Sequence, residues 1–88
     1  MKSKIAMVKN HLGIHARPSA LVVRSASKFK AEVFFSKGET QRINGKSIMG
    51  VMMLAAEQGA QILVEAEGED EAEAVDTLAQ LLESNFEV

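Results

Sequence analysis

The chain has no cysteine, no tryptophan and no tyrosine, and only one proline in 88 residues. Without cysteine, neither a disulfide framework nor a thiolate metal site can staple the fold, which must stand on packing alone. The same absence is compatible with a reducing compartment. No stretch approaches the roughly 18 consecutive apolar residues of a membrane-spanning helix, so no membrane insertion is expected. Met1-Lys2-Ser3-Lys4 is positively charged, but no apolar run follows it, so it does not read as a secretory signal. A cytoplasmic location is therefore expected. The aromatics are four phenylalanines and the formal net charge is -2. Nucleic-acid binding, which calls for stacking aromatics and a basic stripe, is not expected. Lysine and arginine are missing after Lys46, whereas ten of the 12 acids follow it. This division suggests a dipolar surface that steers an acidic partner; a solvated acidic last helix accounts for it equally well.

What is present reads as one domain spanning 1–88. A chain of this size buries roughly 60% of the surface its unfolded form exposes, so its core is modest. Lys4 to Val8 is a short apolar strand flanked by lysines, and Asn10 to Gly13 is a loop. From Ala16 to about Lys28 the pattern is helical, with Ala20, Val23 and Ser27 on one row and Leu21, Arg24 and Lys28 on another. Pro18 fits only in the first turn, where its missing N–H costs nothing, so the helix begins near His15 or Ala16. Ala31 to Ser36 and Thr40 to Ile43 form a hairpin around Lys37-Gly38-Glu39. After the Asn44-Gly45 turn, Ser47 is placed to cap a short helix from Ile48 to Leu54, weakened by Gly50 by about 1 kcal/mol. Gln61 to Glu67 alternates, with Ile62, Val64 and Ala66 on one face. Asp70-x-x-Glu73 resembles a capping box ahead of a last helix with an apolar stripe of Val75, Leu78, Ala79, Leu81 and Leu82. The order β-α-β-β-α-β-α predicts an α+β domain, helices covering one face of a mainly antiparallel sheet.

Chemistry concentrates in Gly13-Ile14-His15-Ala16-Arg17-Pro18. A phosphoryl acceptor must be neutral and lone-paired near pH 7, and histidine qualifies without extreme tuning. A helix N-terminus disfavours imidazolium, and after transfer its unpaired N–H groups make an anion site. Arg17 adds a planar donor fork for phosphate oxygens. Taken alone, a histidine near a helix start is more often a cap or a surface residue than a nucleophile. His11 lies four residues before His15, as in helical metal pairs, but Gly13 and Pro18 place it outside the helix. With no cysteine and no third ligand in sight, a zinc site is not expected.

Three stretches carry a resemblance to a known family. Gly13 to Pro18, followed by a helix rich in alanine and serine, closely resembles the active-site motif of the HPr family. These are the phosphohistidine carriers of the bacterial phosphoenolpyruvate-dependent sugar phosphotransferase system. Asn44-Gly45-Lys46-Ser47-Ile48-Met49-Gly50-Val51-Met52 resembles the regulatory-serine segment of that family, and Ala66 to Glu71 its turn into the last helix. The likeness covers essentially the whole chain. It implies an open-faced β-sandwich with a four-stranded antiparallel sheet, order 1-4-2-3, covered on one face by three helices. It implies that His15 accepts phosphate on Nδ1 from Enzyme I and passes it to EIIA domains. Arg17 would be the phosphate clamp, assisted by the backbone N–H groups of Ala16 and Arg17. The resemblance implies a stoichiometric carrier and not a turnover enzyme, a monomer, with no metal and no cofactor.

It also implies a docking patch of Ala20, Arg24, Met49, Met52 and Met53. The three methionines fall on one stripe and suit a surface that meets several partners, although methionines at helical spacing serve equally as core filler. Ser47 reads either as a helix N-cap or, by the resemblance, as a target of HPr kinase/phosphorylase. Phosphate there would place up to about two negative charges beside an apolar patch. Leu12 departs from the small polar residue of many sugar-branch members and is shared with the nitrogen-related paralogue, NPr. The NPr-like carrier is thus the alternative, while the Ser47 segment favours the sugar branch.

Overall fold

The computed structural model describes residues 1–10, 13–14 and 16–84, residue 16 through its backbone alone. Seven elements follow in order: β1 (Lys2–Met7), α1 (Ala16–Ala26), β2 (Glu32–Lys37), β3 (Thr40–Asn44), α2 (Ile48–Met53), β4 (Gln61–Glu67) and α3 (Glu71–Leu82). The strands form one antiparallel sheet in the order β1-β4-β2-β3. This is the expected α+β open-faced sandwich, with the three helices on one side.

β4 holds the sheet in register. Its alternation turns Ile62, Val64 and Ala66 towards the helices, where all three are buried. Pairing sets Ala6 beside Ile62 and Phe35 beside Val64, and both partners are buried as well. Side chains alternate with a period of two, so a slip of one residue would turn this whole row to solvent. The helix side of the core is completed by Val51 and Leu54 at α2 and by Ala74, Val75, Leu78, Ala79 and Leu82 of α3. The buried row of α1 is Ser19, Val22 and Ala26, a third row beside the two read from sequence. Val23 packs only partly against the core and Ser27 is exposed. The small residues of the buried row let α1 lie close against α2 and α3. Gly50 answers to packing in the same way: a Cβ there would sit 2.7 Å from Ile43 Cγ2, so its place in α2 is what lets that helix rest on β3.

The expected capping box at the start of α3 does not form. Asp70 occupies the N-cap position but makes no side-chain bond to its own helix. Its carboxylate instead accepts the backbone N–H groups of Lys30 (2.9 Å) and Ala31 (2.8 Å), in the turn between α1 and β2. That turn has donors no strand partner satisfies, and an acceptor fixed on the neighbouring loop meets them. Glu71 turns back to the Gly68 N–H (3.1 Å), and its other oxygen meets the N-terminal ammonium (3.2 Å). The Gly68 N–H, with the ammonium beside it, holds the Glu71 carboxyl below the usual range. The Lys30 N–H, joined by that of Ala31, does the same for Asp70 against partial desolvation.

Among the described residues, four ion pairs join bases from early in the chain to acids from late in it. Met1 with Glu71 and Lys4 with Asp76 meet at 3.2 Å, Lys30 with Glu69 and Arg42 with Glu65 at 3.3 Å. β1 lies beside β4 and under α3, so bases from early in the chain face acids from late in it. The two pairs that are exposed on both sides, Lys4 with Asp76 and Lys30 with Glu69, contribute at most about 1 kcal/mol each. Arg17 and Arg24 on α1 belong to none of these four pairs.

Asp70→Asn should lower the melting temperature by a few degrees at neutral pH, since an amide oxygen replaces only one of two charged acceptors. The native carboxyl titrates below its unfolded counterpart, so its stabilisation is complete above the ordinary carboxylate range and is lost as pH falls through the lowered native value. Melting curves of the two proteins should therefore converge on acidification; a difference that is the same at every pH would contradict this role.

Candidate functional site

The segment leading into α1 is held from behind by the segment that joins α2 to β4. Ile14 N–H donates to the Ala56 carbonyl at 2.8 Å. Val8 N–H donates to the Ala60 carbonyl, and Gly59 N–H to the Val8 carbonyl, each at 2.8 Å. Asn10 is bonded twice to Gly13: its side-chain amide donates to the Gly13 carbonyl (2.8 Å), and its own carbonyl accepts from Gly13 N–H (3.0 Å). Gly13 has φ of +74°, and a Cβ there would lie 2.6 Å from the Ala56 carbonyl oxygen and 2.9 Å from Glu57 Cα. Both the backbone angle and the close approach require glycine.

On the far side of that contact, Ala55 ends the α2 segment with φ of +48°. This left-handed conformation costs a non-glycine residue roughly 1–2 kcal/mol. The Lys37 ammonium donates to the Ala55 carbonyl at 3.2 Å. These supporting residues were not legible in the sequence. An alanine with a positive φ leaves no compositional mark, and Lys37 reaches the loop only through the fold. Asn10 alone carried a signal, as an Asn three residues before a glycine in a loop.

α1 begins at Ala16, with Pro18 buried within its first turn. The first-turn N–H groups have no intrahelical acceptor, and Pro18 has none to leave unmet. Together with the helix dipole, these groups form a place for an anion. The Arg17 side chain is exposed and enters no hydrogen bond or ion pair among the described residues. Its fork is therefore available beside that turn. His15, with His11 and Leu12, lies outside the described residues, but both chain neighbours of position 15 are described: Ile14 is pinned to Ala56, and Ala16 opens the helix. Among the described residues, no group of three or more His, Cys, Asp or Glu is arranged to hold a metal ion.

α2 carries the second set of candidate residues. Ser47 is its N-cap: the Oγ accepts from Gly50 N–H at 3.1 Å, as a capping serine should. Met49, Met52 and Met53 are all exposed, with Ile48 beside them, so the methionine stripe is surface and not core filler. α1 and α2 pack together, which puts half-buried Ala20 and exposed Arg24 on the helix adjoining the methionines.

A helix start whose first-turn N–H groups lack intrahelical acceptors, with an arginine unpaired among the described residues beside it, makes this α+β open-faced sandwich one suited to hold an anion at the start of α1. Residues 2–84 match the family model described as the PTS HPr component phosphorylation site, and the chain belongs to the HPr family. It is 48% identical over 86 residues to the phosphocarrier protein HPr of Neisseria meningitidis serogroup A, covering 98% of this chain and 94% of that one. Its structure is similar to the crystal structure of HPr-C-His from Thermoanaerobacter tengcongensis, with TM-score 0.89, 44% identity, and 98% and 96% of the two chains covered. The HPr dimer crystal structure from the same organism matches at TM-score 0.75 and 44% identity over the whole of both chains. No helix among the described residues is long and apolar enough to cross a membrane.

Gly13→Ala should destabilise the protein by more than about 1 kcal/mol, read as a lower midpoint in urea. Gly38→Ala supplies the reference: Gly38 also has a positive φ, +56°, but a Cβ there meets nothing within 4 Å. The larger loss should fall at Gly13; equal losses would mean that the close approach to Ala56 is immaterial.

Proposed function

We propose that this chain carries a phosphoryl group on His15. The observation that best supports this is the start of α1, where first-turn N–H groups and the unpaired Arg17 adjoin position 15 in a member of the HPr family. Nδ1 of the neutral imidazole attacks the phosphorus of phospho-Enzyme I, the bond from phosphorus to the donor breaks, and the phosphate stays on His15. The backbone N–H groups of Ala16 and Arg17 and the Arg17 guanidinium bear its negative charge. An EIIA domain then removes the group by the same kind of displacement. The chain is a stoichiometric carrier, not a turnover enzyme, acting as a cytoplasmic monomer without metal or cofactor. Its relative's dimer makes the oligomeric state a direct measurement by sedimentation.

Enzyme I and EIIA domains dock on the face formed by Ala20 and Arg24 of α1 and by Met49, Met52 and Met53 of α2. HPr kinase/phosphorylase places a second phosphate on Ser47, where the added charge opposes acidic partners on that same face. Leu12 favours a second reading, an NPr-like carrier of the nitrogen branch. The two readings separate by which branch's Enzyme I phosphorylates the chain faster.

On incubation with phosphoenolpyruvate and Enzyme I, the protein should gain one acid-labile phosphate. His15→Ala should abolish the gain and His11→Ala should leave it intact; labelling that persists without His15 refutes the assignment. The protein bearing phosphoserine at position 47 should accept phosphate from Enzyme I roughly tenfold more slowly, equivalent to ~1.4 kcal/mol of lost docking energy. A rate equal to that of the unmodified protein would remove the regulatory role of Ser47.

A further inference from the structure

Every methionine of the chain lies at the surface: Met1 is 59% exposed, Met7 42%, Met49 78%, Met52 44% and Met53 65%. The buried core is built from valine, leucine, isoleucine, phenylalanine and alanine. Methionine, elsewhere the filler of irregular core gaps, is here held out of it. Three of the five thioethers sit within the six residues of α2. With no cysteine, tryptophan or tyrosine in the chain, these sulfurs are its most readily oxidised groups.

We propose that Met49, Met52 and Met53 form an oxidation site, and that a peroxide acting there closes α2 as a docking face. The inference rests on the docking role of α2 proposed above. A thioether sulfur attacks one peroxide oxygen, the S–O bond forms as the O–O bond breaks, and water leaves. The sulfur is oxidised by two electrons and the peroxide is reduced to water. The product is a polar sulfoxide on a surface that partners must desolvate. Its oxygen needs a hydrogen-bond donor that a face shaped for thioethers does not supply. Met49 and Met53, the most open of the three, react first. The change reverses with methionine sulfoxide reduction, which makes it a switch and not only damage. Met1 and Met7 provide an internal comparison: they lie on or next to β1, at the opposite edge of the sheet from β3, against which α2 rests.

The test treats the full chain with hydrogen peroxide, counts added oxygen at each methionine by peptide mass spectrometry, and measures kcat/KM for phosphorylation by Enzyme I. The oxidised chain should lose on the order of tenfold, the penalty for burying an unpaired polar oxygen, with its melting transition retained. A variant with Met49→Leu, Met52→Leu and Met53→Leu is compared with itself before and after treatment, and its kcat/KM should not change. The proposal is overturned by an equal loss in that variant, by full oxidation of the three residues without loss, or by loss that accompanies unfolding. Untreated Met49→Glu separates the two layers. If it is phosphorylated at the native rate, the docking role falls and the switch with it. If it is slow while the oxidised chain is not, only the oxidation switch falls.

Discussion

The N–H of Ile14 donates to the carbonyl of Ala56 across a gap that only a glycine at position 13 leaves open. Much of the molecule depends on that approach. It pins the chain two residues before α1 begins. It also ties the start of α1 to the end of α2, because Ala56 follows directly on Ala55, whose left-handed backbone brings the chain round. The bonds of Val8 with Gly59 and Ala60 carry the same seam onward from β1 to β4. A small core gains little from burial alone, so a site at its edge needs backbone bonds of this kind to stay in place.

The exposed surface divides by the same logic. Strand pairing folds early bases against late acids, and the pairs Lys4 with Asp76 and Arg42 with Glu65 lie over the sheet. Arg17 and Arg24 stay outside those pairs, on the helix next to the exposed methionines of α2. Arg17, in the first turn of α1, and Arg24, in its last, thus lie on the helix that packs beside the one bearing the exposed methionines. Ser47 stands at the N-terminus of α2, and Ala55 ends that segment beside the loop that seats Ile14. One short helical segment thus joins the exposed methionines, the capping Ser47 and the loop that holds Ile14.

Where local pattern and tertiary packing made the same demand, the sequence was enough. The alternation in β4, the apolar stripe of α3, the serine cap of α2 and the start of α1 near His15 or Ala16 are local matters of periodicity and of unmet N–H groups. Two positions misled because their partners lie in other elements of the fold. Asp70 has the spacing of a capping box, yet its carboxylate serves the turn at Lys30 and Ala31, which sequence cannot bring near. Gly50 reads as a weak point in a helix, yet contact with Ile43 requires it.

The hexapeptide from Gly13 to Pro18 by itself marked the candidate site and the place where α1 begins. Those residue types carry their chemistry wherever they stand, and a proline allows only one place in a helix. Likewise, the periods of two and 3.6 determined which elements form and which faces they bury. Only the tertiary structure decided which row of α1 is buried, that the methionines face solvent, that the charges interleave, and that Ala55, Ala56 and Lys37 stand behind the site. Each of these depends on contacts between residues far apart in the chain, and such contacts exist only once the sheet order and the helix packing are set.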